Sequence, residues 1–349
     1  MAPSAGGQEL RTKRGEVEFR RKLAEQQTTG RVQIPEAHTR EEIVALMRAR
    51  MDVTRRDMDH WRAAGVTLGP FVELGAERGQ RSLVLVNEYG VEGFAADISF
   101  EMLRFADVLS EEMGFERRPV RVACDAYNLP VSSHSLRFAF AYQTLHHFPD
   151  PTPVCAELAR VLAYGGGFFI TDEPIASRIR SLARVHHRKG HRLNPLERLL
   201  DKAGLLTVLT KADELEAEHH VLEEEFTLDN WRMALAPFQD VDILANRRLR
   251  LHLDSLDPGV RTFVVKVVGG NIHAYATVRK EPDDVVPTPA DLADLLVCPD
   301  CPEEVRLVPV SDGRRCPACD RRYPEVENVL LLFGSELGHE LYPEYFPAR

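Results

Sequence analysis

From position 71 onward, short apolar runs alternate with stretches whose apolar residues recur at helical spacing. The strand-like runs are 71–74, 93–98, 120–124, 136–142 and 167–171, with helical stretches at 82–88, 102–113 and 153–162 among them. Strand, helix, strand in this rhythm predicts a parallel sheet with right-handed crossovers. Further on, 231–238 reads as a helix, and 241–245, 263–268 and 272–279 read as closing strands. The expected architecture is therefore α/β, with helices on both faces of a mostly parallel sheet. Upstream, Thr39-Arg40-Glu41-Glu42 reads as a capping box opening a helix that carries Ile43, Leu46, Met47, Met51, Met58 and Trp61 at helical spacing. The first residues are charged with little apolar periodicity, which predicts a flexible arm over 1–38 that carries no chemistry. An acidic, proline-rich stretch predicts a linker at 281–291 between a domain at 39–280 and a small unit at 292–335, followed by a tail at 336–349.

Composition narrows the class. The 349 residues, 44% of them hydrophobic, suffice for one large domain plus a smaller one. A net charge of −10, from 54 acidic and 44 basic residues, argues against broad binding to nucleic acid or to an anionic membrane. No apolar run approaches the ~20 residues a bilayer requires, so a soluble, cytoplasmic protein is expected. Of six cysteines, Cys124 and Cys155 stand alone, while Cys298, Cys301, Cys316 and Cys319 form two Cys-x-x-Cys units separated by fourteen residues. In a reducing compartment such pairs point to a metal before disulfides or a redox pair, and four thiolates can close a tetrahedral, structural zinc site.

In an open parallel sheet, ligands bind beyond the carboxyl ends of the strands. The first strand runs into Glu73, Gly75, Glu77 and Gly79; the second ends at Asp97-Ile98; the third at Asp125-Ala126; the fourth near Gln143 to His147. An acid after the second strand can accept both ribose hydroxyls, and one after the third can accept an adenine amino group, which together describe an adenosine pocket. A dinucleotide loop would carry glycine where Glu77 stands. Two carboxylates at the turn would repel a pyrophosphate and tolerate a sulfonium and an amino group, the two cationic groups of S-adenosylmethionine.

These residues resemble the class I S-adenosylmethionine-dependent methyltransferases, in particular those acting on small molecules. Val-Glu-Leu-Gly-Ala-Glu-Arg-Gly at 72–79 is similar to the family's first motif, and Ala-Asp-Ile-Ser at 96–99 to its ribose-binding acid. Cys-Asp-Ala-Tyr-Asn-Leu-Pro at 124–130 resembles the adenine-side motif and Gln-Thr-Leu-His-His-Phe-Pro-Asp-Pro at 143–151 the fourth-strand motif. Glu-Leu-Ala-Arg-Val-Leu at 157–162 with Gly165-Gly166 resembles the approach to strand five. The resemblance covers roughly 71–280 and implies a Rossmann-like, seven-stranded, mostly parallel sheet. It also implies that Glu73, Gly75 and Gly79 surround the donor's methionine end, Asp97 holds the ribose, Ile98 packs on the adenine, Asp125 and Ala126 meet its edge, and Gln143 lies near the sulfonium. With 295–297 before the first cysteine pair and 322–333 after the second, the C-terminal unit resembles a Trm112-like zinc ribbon, a partner subunit of methyltransferases that is fused here.

Transfer from a sulfonium needs chiefly an acceptor held in line with the methyl group. His146 and His147 are candidate bases, with a structural turn as the alternative, and Glu173 is a weaker candidate. Between 175 and 196 there are no acids, while Arg178, Arg180, Arg184, Arg188, Lys189 and Arg192 are joined by His186, His187 and His191. Either an acceptor-binding insertion over 175–228, suited to an anionic acceptor, or a solvated helix face accounts for this. His219-His220 reads as surface. The leading expectation is a methyltransferase acting on an O, N or C nucleophile of a small molecule, with a homodimer compatible with the chain. An RNA or protein methyltransferase and an inactive scaffold are the alternatives.

Overall fold

The computed structural model describes residues 5–28, 39–176, 226–246, 256–268, 270–279 and 291–347. Five strands carry the front of the domain: β1 (Phe71–Leu74), β2 (Gly93–Asp97), β3 (Val120–Cys124), β4 (Leu136–Tyr142) and β5 (Leu162–Ile175). They pair in parallel in the order β5-β4-β1-β2-β3. β6 (Asp240–Asn246) and β7 (Gly270–Thr277) follow, with β7 antiparallel between β5 and β6. All four β1 residues are buried, as expected for a central parallel strand covered on both faces.

The expected seven strands are present, and the sheet does not stop there. β11 (Val329–Leu332) adds in parallel to the edge of β3, with Val329 opposite Arg121 and Leu332 opposite Cys124. Behind it β10 (Arg322–Val326), β9 (Gly313–Arg315) and β8 (Val308–Val310) pair antiparallel, so the sheet has eleven strands. An exposed edge leaves unpaired backbone donors and acceptors, and four buried apolar residues of β11 cover this one.

Helices α2 (Arg40–Ala63), α3 (Gln80–Glu88), α4 (Phe100–Leu103), α5 (Ala106–Met113) and α6 (Thr152–Val161) follow the pattern of the sequence, α4 and α5 dividing the single helix expected at 102–113. The Thr39 capping box is formed, with Glu42 N donating to Thr39 Oγ1 at 3.2 Å and Thr39 N donating to Glu42 Oε2 at 3.0 Å. α2 lays Met58 against Phe71, Phe138, Phe140 and Phe169 on one sheet face. α7 (Leu228–Ala234) puts Trp231 into the main core.

Two expectations are corrected. The run 263–268, read as a strand from its β-branched residues, belongs to a helix, α8 (Pro258–Val268). Pro258 suits a first helical turn, Asp257 accepts from Gly259 N at 2.8 Å, and the place beside β5 is taken by β7. The N-terminal stretch expected as an arm forms a 24-residue helix, α1 (Ala5–Thr28). It buries Val17, Phe19, Leu23 and Ala24, which contributes on the order of 5 kcal/mol for the three larger side chains. Its inward face also carries Lys13, Glu16 and Arg20, satisfied by ion pairs, so no apolar stripe announced it. The C-terminal residues likewise form α9 (Ser335–Leu341), with Tyr342 and Phe346 packed into the core. The positively charged segment around 178–192, with His186, His187 and His191, lies outside the described residues, as do His219-His220 and the linker at 281–290. Among the described residues no helix is long and apolar enough to cross a membrane.

Candidate active site

The strand order sets β4, β1, β2 and β3 side by side, so their carboxyl ends bring the glycine turn, Asp97, Asp125 and Gln143 to one rim. After β1 the chain turns through Gly75 (φ 66°), Glu77 (φ 51°) and Gly79 (φ 67°) into α3. Gly75 is doubly constrained, since a Cβ there would also collide with the Thr144 side chain at the end of β4. Asp97 ties turn and strand together: Oδ2 accepts from Glu77 N and Oδ1 from Ser99 N, both at 2.8 Å. Burial pushes its carboxyl up to about 6, although the charge of Arg20 acts in the opposite direction. Ile98 is half-buried beside it, Ala126 is buried, and Gln143 is exposed at φ 51°.

The two glutamates of the turn do not act as their place in the sequence implies. Glu73 is 1% exposed. Its Oε2 accepts from Ser82 N at 2.9 Å and Ser82 Oγ at 2.6 Å, pinning α3 to β1, and burial pushes the carboxyl up to about 7. Glu77 is paired with Arg50 of α2 at 2.6 Å and with the adjacent Arg78. Burial alone would raise its carboxyl, but Arg78 and then Arg50 hold it down at about 2. Its charge is therefore neutralised within the protein, and the turn does not present two free carboxylates to select a cationic ligand.

Asp125 accepts from Tyr127 N at 3.1 Å through Oδ1 and from Lys13 Nζ at 2.6 Å through Oδ2. Lys13 also bonds Glu9 at 2.5 Å and lies 4.7 Å from the centre of the Tyr127 ring. No motif in the sequence singles out Lys13, Arg20 or Arg50. The signal that existed was the spacing: Glu9 with Lys13 and Glu16 with Arg20 are both i,i+4 ion pairs of a helix.

Beyond β4, His146 and His147 stand on a short 3-10 turn, Leu145–His147. Glu173 of β5 gathers this turn. Its Oε1 accepts from Thr144 N at 2.7 Å and Leu145 N at 2.9 Å, and its Oε2 from His146 N at 3.1 Å and His146 Nδ1 at 2.8 Å. The residue is fully buried, yet these donors keep its carboxyl below the usual range against the opposing effect of burial. A bulge at Asp172 (φ 61°) makes this possible, because it turns Glu173 to the face opposite Thr171. With Oε2 anionic, His146 Nδ1 carries its proton toward Glu173. Burial, then the neighbouring His146, pushes His147 down to about 4.

The C-terminal unit supports the same rim. Tyr342 Oη donates to Ile98 O at 2.9 Å and accepts from Phe100 N at 3.0 Å. Arg160 of α6 donates to Leu129 O and Val131 O, both at 2.8 Å, and reaches Glu304 at 3.0 Å. Val297 N donates to Pro130 O at 3.0 Å. In that unit the sulfur atoms of Cys298, Cys301, Cys316 and Cys319 all lie within 4.8 Å of one another, with Cys298 3.7 Å from Cys319 and Cys301 3.6 Å from Cys316. Bonds of about 2.3 Å in a tetrahedral zinc site set sulfurs ~3.8 Å apart. The four thiolates are thus arranged to hold one metal ion.

The fold is a Rossmann-like α/β sheet with acids and glycines gathered at the carboxyl ends of its parallel strands, and comparison with known proteins adds to this. Residues 72–170 match the methyltransferase domain family. The chain therefore carries a methyltransferase domain over those residues. Among solved structures, a Haloferax volcanii complex of the Trm112 methyltransferase activator and a putative methyltransferase is similar at 16% identity and a TM-score of 0.42, covering 67% of this chain and 94% of that one. A putative sarcosine dimethylglycine methyltransferase from Galdieria sulphuraria aligns at 15% identity and a TM-score of 0.44, covering 66% and 87%. Geranyl diphosphate C-methyltransferase from Streptomyces coelicolor A3(2) aligns at 14% and 0.42, covering 64% and 74%. Likeness at this level assigns neither acceptor nor partner.

Proposed function

We propose that this protein is an S-adenosylmethionine-dependent methyltransferase acting on a nucleophilic O, N or C atom of a small molecule, with an anionic acceptor favoured by the basic segment at 178–192. The observation that carries the donor site is the juxtaposition of Asp97 and Asp125 beside the glycine turn, at the ends of adjacent parallel strands. In this reading Gly75 and Gly79 let the backbone approach the methionine end, Asp97 accepts the ribose hydroxyls, Ile98 and Ala126 pack on the adenine, Asp125 reads its amino group and Gln143 faces the sulfonium. Glu73 acts through α3 and the turn, not by contact. The donor brings a methyl group on a positively charged sulfur, and in-line attack by the acceptor leaves a neutral thioether. His146 Nε2 takes the acceptor's proton where one must be lost, with Glu173 fixing the ring, and His147 remains neutral beside it. The four cysteines hold a structural zinc that shapes the C-terminal unit, which in turn braces the loops after β2 and β3.

The test uses donor labelled in its methyl group, incubated with the protein and with small-molecule, RNA and protein fractions of a cell extract. Label should enter the small-molecule fraction. Label confined to RNA or protein would replace the acceptor class, and donor binding in calorimetry without any transfer would favour the inactive scaffold.

A further inference from the structure

α1 reaches the donor rim through Lys13, which is bonded to Asp125. Lys13, Glu16, Val17 and Arg20 fall on one helical stripe at i, i+3, i+4 and i+7. Lys13, 8% exposed, bonds the outer oxygen of Asp125, whose other oxygen is held by Tyr127 N. Val17 is buried in the main apolar cluster. Arg20 lies close enough for its charge to act on both Glu77 and Asp97, and Glu16 faces His147 and His146 in the same way. Of the two acids that would bind the adenosine, Asp125 is bonded to a cation of this helix and Asp97 feels the charge of another. An ammonium on Asp125 stands where an adenine amino group would donate, and the two cannot occupy that oxygen together in the same geometry.

On its outer side the helix is fastened to the C-terminus. Arg21 donates to Glu101 at 2.7 Å, to Leu341 O at 2.9 Å and to Glu344 at 3.0 Å, with its guanidinium 4.9 Å from the centre of the Tyr342 ring. Arg14 pairs with Glu340 of α9. None of these bonds is to a donor acid, and they join the first helix to the last.

We propose that α1 is an internal competitor for the donor site: its Lys13 occupies Asp125, the acid that would read the adenine, and the Arg21 contacts with the C-terminal helix hold it there until donor displaces it. The inference rests on the donor-site reading above. A donor that binds only the displaced state shows an affinity reduced by the fraction of molecules in that state, so weakening either set of contacts tightens apparent binding.

The experiment is calorimetric titration of the full chain with S-adenosylhomocysteine, comparing wild type, Lys13→Met and Arg21→Ala, with amide hydrogen exchange on the wild type. Each variant should bind about tenfold more tightly, and the ligand should raise exchange along α1. Arg21→Ala is decisive because Arg21 bonds neither donor acid. Equal or weaker binding by both variants, or protection of α1 on adding ligand, would overturn the proposal and make the helix a cover that closes over bound donor. If no form binds S-adenosylhomocysteine, the donor-site assignment itself fails, an outcome distinct from a wild type that binds and variants that gain nothing.

Discussion

Replacing Glu77 with glycine restores the residue common in this loop, yet the structure predicts a loss. The substitution removes the 2.6 Å pair with Arg50, the contact with Arg78 and a 3.2 Å bond from Gln80. Arg78, 1% exposed, would keep its charge with no counter-ion, and its Nε and Nη2 already lack hydrogen-bond partners among the described residues. Removing one partner of a buried pair costs about 3–5 kcal/mol. The depression of the Glu77 carboxyl to about 2 agrees, being equivalent to roughly 3 kcal/mol at neutral pH. Glycine relieves the positive φ of 51°, a gain of about 1 kcal/mol. The net expectation for Glu77→Gly is a destabilisation of roughly 2–4 kcal/mol in urea denaturation at pH 7. Adding Arg78→Met removes the stranded charge and should recover most of it, a coupling that a double-mutant cycle reads directly. Because the folded carboxyl titrates below its unfolded value, its contribution is present above about pH 4.3 and is lost as pH falls toward 2, so the variant should lack that part of the acid limb. A variant as stable as wild type, or no coupling with Arg78, would refute the reasoning.

Glu73 is displaced in the opposite direction. Its contribution is present below the unfolded value and lost as pH rises through about 7, so the stability of Glu73→Gln relative to wild type should improve between pH 5 and pH 8 by about 2–3 kcal/mol; a difference independent of pH would count against its buried, partly unsatisfied environment. One zinc ion per chain is expected by metal analysis, and Cys316→Ser should lose it and lower Tm through the ribbon's hold on β3; full-length protein carrying well under one zinc would refute the site. Tyr342→Phe leaves Phe100 N without its 3.0 Å acceptor and should cost about 1–2 kcal/mol in urea denaturation; unchanged stability would show that the C-terminal residues do not brace the loop after β2.

Much of this protein is legible along the chain. The strands β1 to β5, the helix opened by Thr39, the acids at strand ends and the four cysteines all follow from local rules: burial of a parallel strand, periodicity, capping and ligand spacing. The carboxyl ends of parallel strands are functional positions whatever the residues between them, so Asp97 and Asp125 stand out from their place in the sequence alone. Other features depend on partners far away in sequence. β11 is visible as an apolar run, but only the open edge of β3 makes it the eighth strand of one sheet. Asp172 carries no sign that it bulges, and without the bulge Glu173 would not reach the turn bearing His146.

Charge is the least legible quantity. By itself the sequence determined that a glycine turn and two acids meet at one rim, and that four thiolates come in pairs. The tertiary structure decided which charges remain available there: Glu73 is buried on Ser82, Glu77 is cancelled by Arg50 and Arg78, and Asp125 is already held by Lys13 from 112 positions away. The physical reason is that a carboxylate's charge is set by the donors and cations within a few ångströms of it, and only the folded chain brings those neighbours together.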